Sequence, residues 1–237
     1  MRENQPVIYQ SAEKCVDDVI KRVGKTIVLG MPLGLGKANH VANALYRRAA
    51  KDPNMNLTII TALSLERPSP SSELERRFLA PFIERIFGGY VDLEYVKALR
   101  KGALPSNIEV KEFYTKAGAF LKTRHVQENY ISSNYTHACR DILINEVNVV
   151  AQIVCKDTIG GQTYFSTSCN PEVTLDVVDG MRALEKAGKK IAIIAQINQN
   201  LPFMYGDAVV DPELFTDILD HPDCSFRLFS APKMSVS

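Results

Sequence analysis

Short apolar, β-branched segments alternate with amphipathic helical segments along this chain, and that alternation constrains its fold more than any other feature. The strand-like segments are residues 25–30, 57–63, 108–114, 147–154, 163–167 and 191–197. Apolar strands separated by helices are typical of a parallel sheet whose two faces are both covered. We therefore predict an α/β fold with a largely parallel β-sheet covered by helices on both faces.

Sequence signals at helix ends support the helical half of this pattern. Ser72 and Glu75 have the spacing of a capping box, and they precede a helix with apolar residues at intervals of four. Those apolar residues are Leu74, Phe78, Phe82 and Ile86. Asn170 and Pro171 are typical of an N-cap followed by a first-turn proline, which predicts another helix that ends near Gly188.

Charge and cysteine content exclude several classes of protein. The 237-residue chain has 28 Lys and Arg against 27 Asp and Glu, so its net charge of +1 gives no long-range field that would attract nucleic acid or an anionic membrane. Its five cysteines form no C-x-x-C pair, which argues against a disulfide framework or a zinc site. No apolar run approaches the roughly 18 residues of a membrane span. We expect a cytoplasmic protein with no nucleic-acid, membrane or metal partner.

A glycine-rich turn lies between the first predicted strand and the helix that follows. Residues 30–40 read GMPLGLGKANH, and a glycine turn at a strand-helix junction exposes backbone N–H groups to an anion. The turn is not a Walker A loop, because Met31 stands where the first glycine belongs and Ala38 follows the lysine. It is not a dinucleotide fingerprint, since Asn39 occupies the third glycine position. The alternative is that the glycines only let the chain turn tightly.

Five longer segments occur in a fixed order: GMPLGLGKANHVANALYRRA, SSELERRFLAPFIERIFGGY, NYISSNYTHACRDIL, FSTSCNPEVTLDVVDGM and AQINQNLPFMYGDAVV. The last contains the pattern N-x-N-x-P-x-x-x-G-D, formed by Asn198, Asn200, Pro202, Gly206 and Asp207. On these segments the chain resembles the N-terminal domain of the acetyl-CoA hydrolase/CoA-transferase family, within the class I CoA-transferase superfamily.

The resemblance implies a two-domain subunit in which two similar α/β halves face each other across an acyl-CoA site. In such enzymes a glutamate attacks the thioester and carries CoA as a glutamyl thioester, until an acceptor carboxylate, or water in the hydrolases, completes the reaction. That glutamate belongs to the C-terminal half, and nothing after Val210 resembles its surroundings. The implied partners are acyl-CoA, a small carboxylate and a C-terminal domain of the same polypeptide. Coenzyme A enters as a substrate, no covalently bound cofactor is implied, and this chain alone is expected to be inactive.

The same resemblance divides the chain. Residues 1–23 are predicted to be a helical lead-in, residues 24–222 a CoA-transferase-like N-terminal α/β domain, and residues 223–237 a tail that links to the C-terminal domain. Without that domain an apolar surface is exposed, so self-association into a homo-oligomer is a further hypothesis. The alternative function is a non-catalytic module that binds CoA or a phosphorylated ligand through the glycine turn.

Ligands of open α/β sheets bind outside the carboxyl ends of the strands, which places the candidate contacts in loops after the strands. The candidate substrate- or CoA-binding residues are Gly34, Gly36, Lys37, Asn39, Asn198 and Asn200. Lys37 is predicted to meet a CoA phosphate or a substrate carboxylate, and the alternative is a solvated surface lysine. Amides at Asn198 and Asn200 can hold a carbonyl or thioester oxygen, a role that rests on the family pattern.

Other reactive side chains are interpreted as structural. Glu172 is predicted to be a first-turn glutamate favoured by the helix dipole rather than a nucleophile. His137 and Cys139 are two positions apart, so they do not share a helix face and do not suit a nucleophile-base pair. For His40 two interpretations stand, contact with substrate and packing beside the start of the helix.

Overall fold

Seven parallel strands form the central sheet. A computed structural model describes residues 5–227, in which the strands are β1 (Val7–Tyr9), β2 (Thr26–Leu33), β3 (Asn56–Ala62), β4 (Ile108–Glu112), β5 (Val149–Ile159), β6 (Gln162–Ser166), β7 (Ala192–Ile197), β8 (Val209–Val210) and β9 (Asp217–Leu219). Seven of them run in the order β1-β9-β7-β5-β2-β3-β4, and each neighbouring pair is parallel. The second half of β5 leaves this sheet and pairs antiparallel with β6, which pairs antiparallel with β8.

Helices lie on both faces of this sheet. Within the described residues they are α1 (Ala12–Val23), α2 (Asn39–Lys51), α3 (Glu73–Phe87), α4 (Glu94–Lys101), α5 (Arg124–Glu128), α6 (Tyr135–Ile144) and α7 (Glu172–Lys186). Side chains of α1, α2 and α4 share one buried core, whereas those of α6 and α7 share a second core. The predicted α/β fold, with a largely parallel sheet covered on both faces, is therefore confirmed.

Two strands run further than their apolar patterns indicate. β2 continues through Gly30 to Leu33, so the glycine turn begins only at Gly34. β5 continues past Val154 to Ile159 and forms a hairpin with β6. The strand predicted at residues 147–154 therefore ends five residues too early. Residues 156–160 are exposed and mostly polar. The apolar pattern that predicted the strand therefore does not extend over the second half of β5.

The N-terminal elements belong to the same unit as the rest of the domain. β1 pairs with β9 at the edge of the sheet, and Arg22 of α1 forms an ion pair with the buried Asp217 of β9. α1 also buries three side chains in the first core, at Cys15, Val16 and Val19. Within the segment predicted as a helical lead-in, residues 7–23 thus supply an edge strand and a core helix to the domain.

The end of the described chain packs over the carboxyl edge of the sheet. Phe226 is buried in a small cluster with Tyr90 and Leu201, and the ring centroids of Phe226 and Tyr90 lie 5.8 Å apart in an edge arrangement. The first part of the predicted linker, residues 223–227, therefore contacts the domain. The rest of it, residues 228–237, lies outside the described residues.

The order of the strands reverses between β2 and β5. From β2 the chain moves outward through β3 to β4, whereas β5, β7 and β9 follow one another on the opposite side. In open parallel sheets the loops at the carboxyl ends diverge at such a point and leave a crevice for a ligand. The glycine turn after β2 lies at this reversal point.

Candidate functional site

The turn at Gly34–Gly36 packs against the chain that leads into α7. Gly34 has a φ of 57°, a left-handed value that favours glycine. A Cβ placed on Gly36 would lie 2.7 Å from both Cβ of Asn170 and Cγ of Pro32, which is closer than real Cβ atoms approach. Nδ2 of Asn170 donates to the backbone oxygen of Leu33 at 3.1 Å. The glycines therefore have a conformational role at Gly34 and a packing role at Gly36.

A side chain from β7 occupies the N-terminus of α2. Oε1 of Gln196 accepts from the backbone N–H groups of His40 and Val41 at 3.1 and 3.4 Å. Gln196 is fully buried. Helix N-termini bind anions through N–H groups that lack an internal partner. An anion that approached these two N–H groups would have to displace the Gln196 amide.

His40 is held by the same glutamine. Because Oε1 of Gln196 already accepts two hydrogen bonds, Nε2 is the group that faces Nδ1 of His40, at 3.0 Å, and Nδ1 accepts. Burial lowers the pKa of His40, Arg47 adds to this effect, and the carboxylates of Asp223 and Glu13 oppose it. A neutral imidazole that packs beside the start of the helix fits both observations.

Lys37 is buried, and its ammonium group lies among main-chain oxygens. Nζ donates to the backbone oxygens of Pro32 and Leu63 at 3.0 and 3.2 Å, and also to that of Ala62. The side chain is 1% exposed, so the alternative of a solvated surface lysine is wrong. The main chain of Lys37 forms an isolated antiparallel bridge with Gln152 of β5. Lys37 thus connects the turn to β3 and β5, the strands on either side of β2. Contact of Lys37 with a phosphate or carboxylate stays a prediction.

The three asparagines of the predicted site differ in accessibility. Asn39 is 1% exposed, and its Nδ2 donates to the backbone oxygen of Val91 at 2.6 Å. Asn198 is fully buried: Nδ2 donates to the backbone oxygen of Phe226 at 2.9 Å, and Oδ1 accepts from the backbone N–H groups of Phe226 and Asn200. Asn200 is exposed. Asn200 is therefore the member of the three that a ligand can reach in this structure.

Sequence reasoning missed two buried polar side chains near the reversal point. Gln152 is fully buried, its Nε2 donates to the backbone oxygen of Asn170 at 2.7 Å, and its Oε1 has no hydrogen-bond partner among the described residues. Ser168 is buried with a φ of 57°, and its hydroxyl likewise has no partner within residues 5–227. Such atoms are uncommon in folded proteins and call for a partner. The available signal was the polar Gln152 within the apolar strand VVAQIV.

A second buried polar cluster lies at the carboxyl ends of β3 and β4. The carboxyl group of Glu112 accepts a hydrogen bond from the hydroxyl of Ser64, which lies 2.7 Å from the phenol oxygen of Tyr95. Burial raises the pKa of Glu112, while the hydrogen bond from Ser64 and the charge of Lys37 oppose that rise. This carboxyl group is suited to holding a proton inside the fold.

Two larger hollows in the described surface lie away from the glycine turn. One of about 380 Å³ is lined by Thr26, Asn148 and Lys190, and one of about 450 Å³ lies beside Asn56 and Asn107. Both are at the amino ends of the strands, opposite the edge where open α/β sheets bind ligands. A hollow between β2 and β5, beside Pro32 and Val150, has a volume of about 10 Å³, which is room for about one water molecule.

Two further features of the described residues bear on the composition. Within residues 5–227, none of the helices has the length and apolar character needed to cross a membrane, and no cluster of His, Cys, Asp and Glu has the arrangement of a metal site. All five cysteines are free thiols, and Cys169 is the exposed one. Cys139 is partly exposed, and the other three thiols are buried.

Comparison with known proteins bears on the fold. No protein-family model matches the chain, and none of the curated proteins matches it. RipA from Yersinia pestis aligns over 98% of this chain and 45% of its own, with a TM-score of 0.61 and 16% identity, and a RipA mutant aligns over 98% and 44%, with a TM-score of 0.60 and 16% identity. The chain therefore spans less than half the length of the RipA structures that it matches, and at this identity the likeness shows a shared fold.

A 4-hydroxybutyrate CoA-transferase from Porphyromonas gingivalis also aligns, over 90% of this chain and 38% of its own. Its TM-score is 0.45 and its identity 14%, which is too low to support an inference. The fold is thus an α/β domain of the kind seen in RipA.

Proposed function

We propose that this chain is the N-terminal, CoA-transferase-like domain of an acyl-CoA transferase or acetyl-CoA hydrolase, and that it forms one wall of the acyl-CoA site. The observation that carries this proposal is the position of the glycine turn at the reversal of strand order, where Oε1 of Gln152 and the hydroxyl of Ser168 lack partners within the described chain. The five ordered sequence segments and the fold shared with RipA support it.

In this proposal a glutamyl-CoA intermediate transfers CoA between carboxylates, or is cleaved by water. The glutamate of that intermediate lies outside this chain. A nucleophilic carboxylate must be ionised and within reach of the thioester. Glu112 is 5% exposed, so its carboxyl group is out of reach of a thioester in this structure, and burial raises its pKa. The proposal therefore assigns attack to a second domain, and assigns to this chain the binding and orientation of acyl-CoA.

The exposed amide of Asn200 is the group of this chain that we assign to the thioester. A thioester carbonyl gains negative charge as a carboxylate attacks it, and a fixed N–H donor stabilises that charge. Asn198 orients Asn200 by accepting a hydrogen bond from its backbone N–H at 3.0 Å. Asn198 is thus a positioning residue in this proposal, and Asn200 contacts the substrate.

The first test is turnover by the 237-residue chain. With acetyl-CoA and propionate we expect no propionyl-CoA above the level of a protein-free control, since the attacking carboxylate is missing. Turnover at a rate on the order of 1 s⁻¹ or faster, as in ordinary enzymes, would contradict the assignment of the nucleophile to another domain.

The second test separates this proposal from a stand-alone CoA-binding module. Calorimetry with CoA and acetyl-CoA should show no sub-millimolar binding to this chain, because half of the site is absent and Gln196 already occupies the N–H groups of α2. Sub-millimolar binding would favour the module. In a polypeptide that carries both halves, Asn200→Ala should lower kcat/KM, whereas Gln199→Ala, a change at the neighbouring exposed position, should leave it unchanged.

A further inference from the structure

Main-chain oxygens surround the ammonium group of Lys37 and form what is here called the Lys37 ring. Nζ lies within 3.5 Å of four of them, those of Pro32, Gly34, Ala62 and Leu63. An ammonium group has three protons, so it cannot donate a separate hydrogen bond to each of four oxygens. The oxygens therefore also contact Nζ as a positive charge, as carbonyl oxygens do when they replace the hydration shell of a potassium ion.

The charge inside the Lys37 ring is closed off from solvent. Lys37 is 1% exposed, and the burial of an ammonium group is unfavourable unless other groups replace its water. A buried carboxyl group adds to the four oxygens. Burial raises the pKa of Glu112, and the positive charge of Lys37 opposes that rise, so the two groups act on each other inside the fold. Groups of the chain itself thus replace the water around this charge.

One residue of the Lys37 ring has a strained backbone. Leu63 has a φ of 45°, a left-handed value that is uncommon for a residue with a side chain. Such conformations persist only where the surrounding structure holds them. Successive carbonyl groups of an extended strand point to opposite sides, whereas the left-handed backbone lets the oxygens of Ala62 and Leu63 face one point. Nζ of Lys37 lies at that point and accounts for the strain.

We propose that the Lys37 ring is a site for a monovalent cation, which this chain fills with its own lysine. Pro32 and Gly34 flank the point where β2 enters the glycine turn, and Ala62 and Leu63 lie at the end of β3, so the cation joins these two segments. When the lysine side chain is shortened, the ring should bind an ammonium or a potassium ion in its place. The proposal concerns the conformation of the turn and does not depend on the binding of acyl-CoA.

Rescue of Lys37→Ala by added cations tests this proposal. The variant should be less stable to urea than the parent, and part of the loss should be recovered when ammonium or potassium chloride replaces about 0.2 M tetramethylammonium chloride. For a dissociation constant on the order of 10 mM, the folding equilibrium constant should rise about twenty-fold. Tetramethylammonium keeps the ionic strength equal, but it is larger and has no proton to donate. The same exchange of salts should leave the parent nearly unchanged.

Two further variants are the matched controls. Lys37→Met fills the space of the lysine side chain without its charge, so it should lose stability and show no rescue by either cation. Met181→Ala leaves a cavity in an apolar core, away from the Lys37 ring, and should also show no rescue. An equal response of Lys37→Ala and Met181→Ala would mean that the salts stabilise any weakened variant, and it would overturn the proposal.

Nuclear magnetic resonance of the parent supplies a measurement that needs no folded variant. Nζ of Lys37 should carry three protons at neutral pH, and they should exchange with water far more slowly than those of the exposed Lys97. Two protons on Nζ, or equal exchange at the two lysines, would overturn the proposal. If Lys37→Ala is unfolded in tetramethylammonium chloride, about 0.5 M ammonium chloride should restore its cooperative transition, and failure to do so would equally count against the site.

Discussion

At the scale of single residues, the conformation of the glycine turn has an explanation within the chain, and contact of Gly34 and Gly36 with a CoA phosphate stays a prediction. Gly34 is needed for its left-handed φ, whereas Gly36 is needed because a Cβ would collide with Asn170 and Pro32. The sequence predicted a glycine turn after this strand, although the turn begins only at Gly34. It could not predict which neighbour each glycine meets, since Asn170 lies more than a hundred positions further along the chain.

A double-mutant cycle checks this explanation of Gly36. We expect Gly36→Ala to lower the free energy of unfolding by about 1–3 kcal/mol, as overpacking does in other cores. In an Asn170→Gly background the loss should be smaller by about 0.5 kcal/mol or more, since two of the three clashing atoms, Cβ and Cγ of Asn170, are gone. Gly118→Ala, at a left-handed position with open space around it, should be additive with Asn170→Gly. Additivity at Gly36 would contradict the explanation, and urea unfolding measures all of these values.

The contact between His40 and Gln196 predicts an acid-dependent loss of stability. Burial lowers the pKa of His40 in the folded state, so the folded state favours the neutral form. The contribution to stability is therefore present above the unfolded value of about 6.5 and is lost as the pH falls through the folded-state pKa. His40→Asn keeps an acceptor in place of Nδ1 and cannot be protonated. Its free energy of unfolding should fall less than that of the parent between about pH 7 and pH 5.

Nuclear magnetic resonance supplies the control for that comparison. The Hε1 signal of His40 should titrate below the ordinary histidine range. The exposed carboxylates contribute equally to the acid sensitivity of the parent and of His40→Asn, so their contribution cancels in the difference between the two free energies of unfolding. Equal acid sensitivity of the parent and His40→Asn would show that the Gln196 contact has no role in acid stability.

At the scale of elements, the apolar pattern predicted which segments are strands and helices but not what each side chain faces. The strand at residues 57–63 was predicted within one residue of β3, and the helix predicted after the glycine turn is α2. The stripe at Leu74, Phe78 and Phe82 has the period of a core-facing helix, yet it faces solvent. The period of the apolar residues indicates that a helix has an apolar face. The pattern is the same whether that face packs in the core or against another molecule.

Hydrogen exchange distinguishes α3 from a helix that packs in the core. Most stabilisation of protein helices comes from tertiary packing, and α3 buries no side chain, whereas α2 buries seven. The amides of α3 should therefore exchange far faster than those of α2. Equal protection of the two helices would contradict the assignment of α3 as a helix held to the domain by few core contacts, such as that of Phe87.

At the scale of the whole molecule, the two ends of the described chain are built into the sheet. β1 and β9 pair side by side, and the chain after β9 returns to the carboxyl edge, where Asn198 binds the main chain of Phe226. The sequence predicted a lead-in and a linker at these ends because β1 has only three residues and carries no periodic signal. Parallel pairing between strands about two hundred residues apart leaves no local trace in a sequence.

Removal of residues 1–23 is therefore expected to unfold the domain. The truncation takes away β1, three core side chains of α1 and the guanidinium of Arg22, so the fully buried Asp217 keeps its carboxylate without an ion-pair partner. Each buried apolar side chain contributes about 1.5–3 kcal/mol, and domains of this size are stable by about 5–15 kcal/mol in total. The shortened chain should lose the cooperative thermal transition that the parent shows by near-ultraviolet circular dichroism.

A single substitution isolates the ionic part of that effect. Arg22→Met should lower the free energy of unfolding by about 1–3 kcal/mol, less than for a wholly buried pair because the guanidinium is 37% exposed. Lys21→Met removes the neighbouring charge, whose pair with Asp18 lies on the surface, and should produce no measurable change. Arg22→Met with Asp217→Asn should recover part of the loss, since no buried carboxylate is then left unpaired. A truncated chain that melts cooperatively at the parent's temperature would instead show that residues 1–23 do not contribute to the stability of the domain.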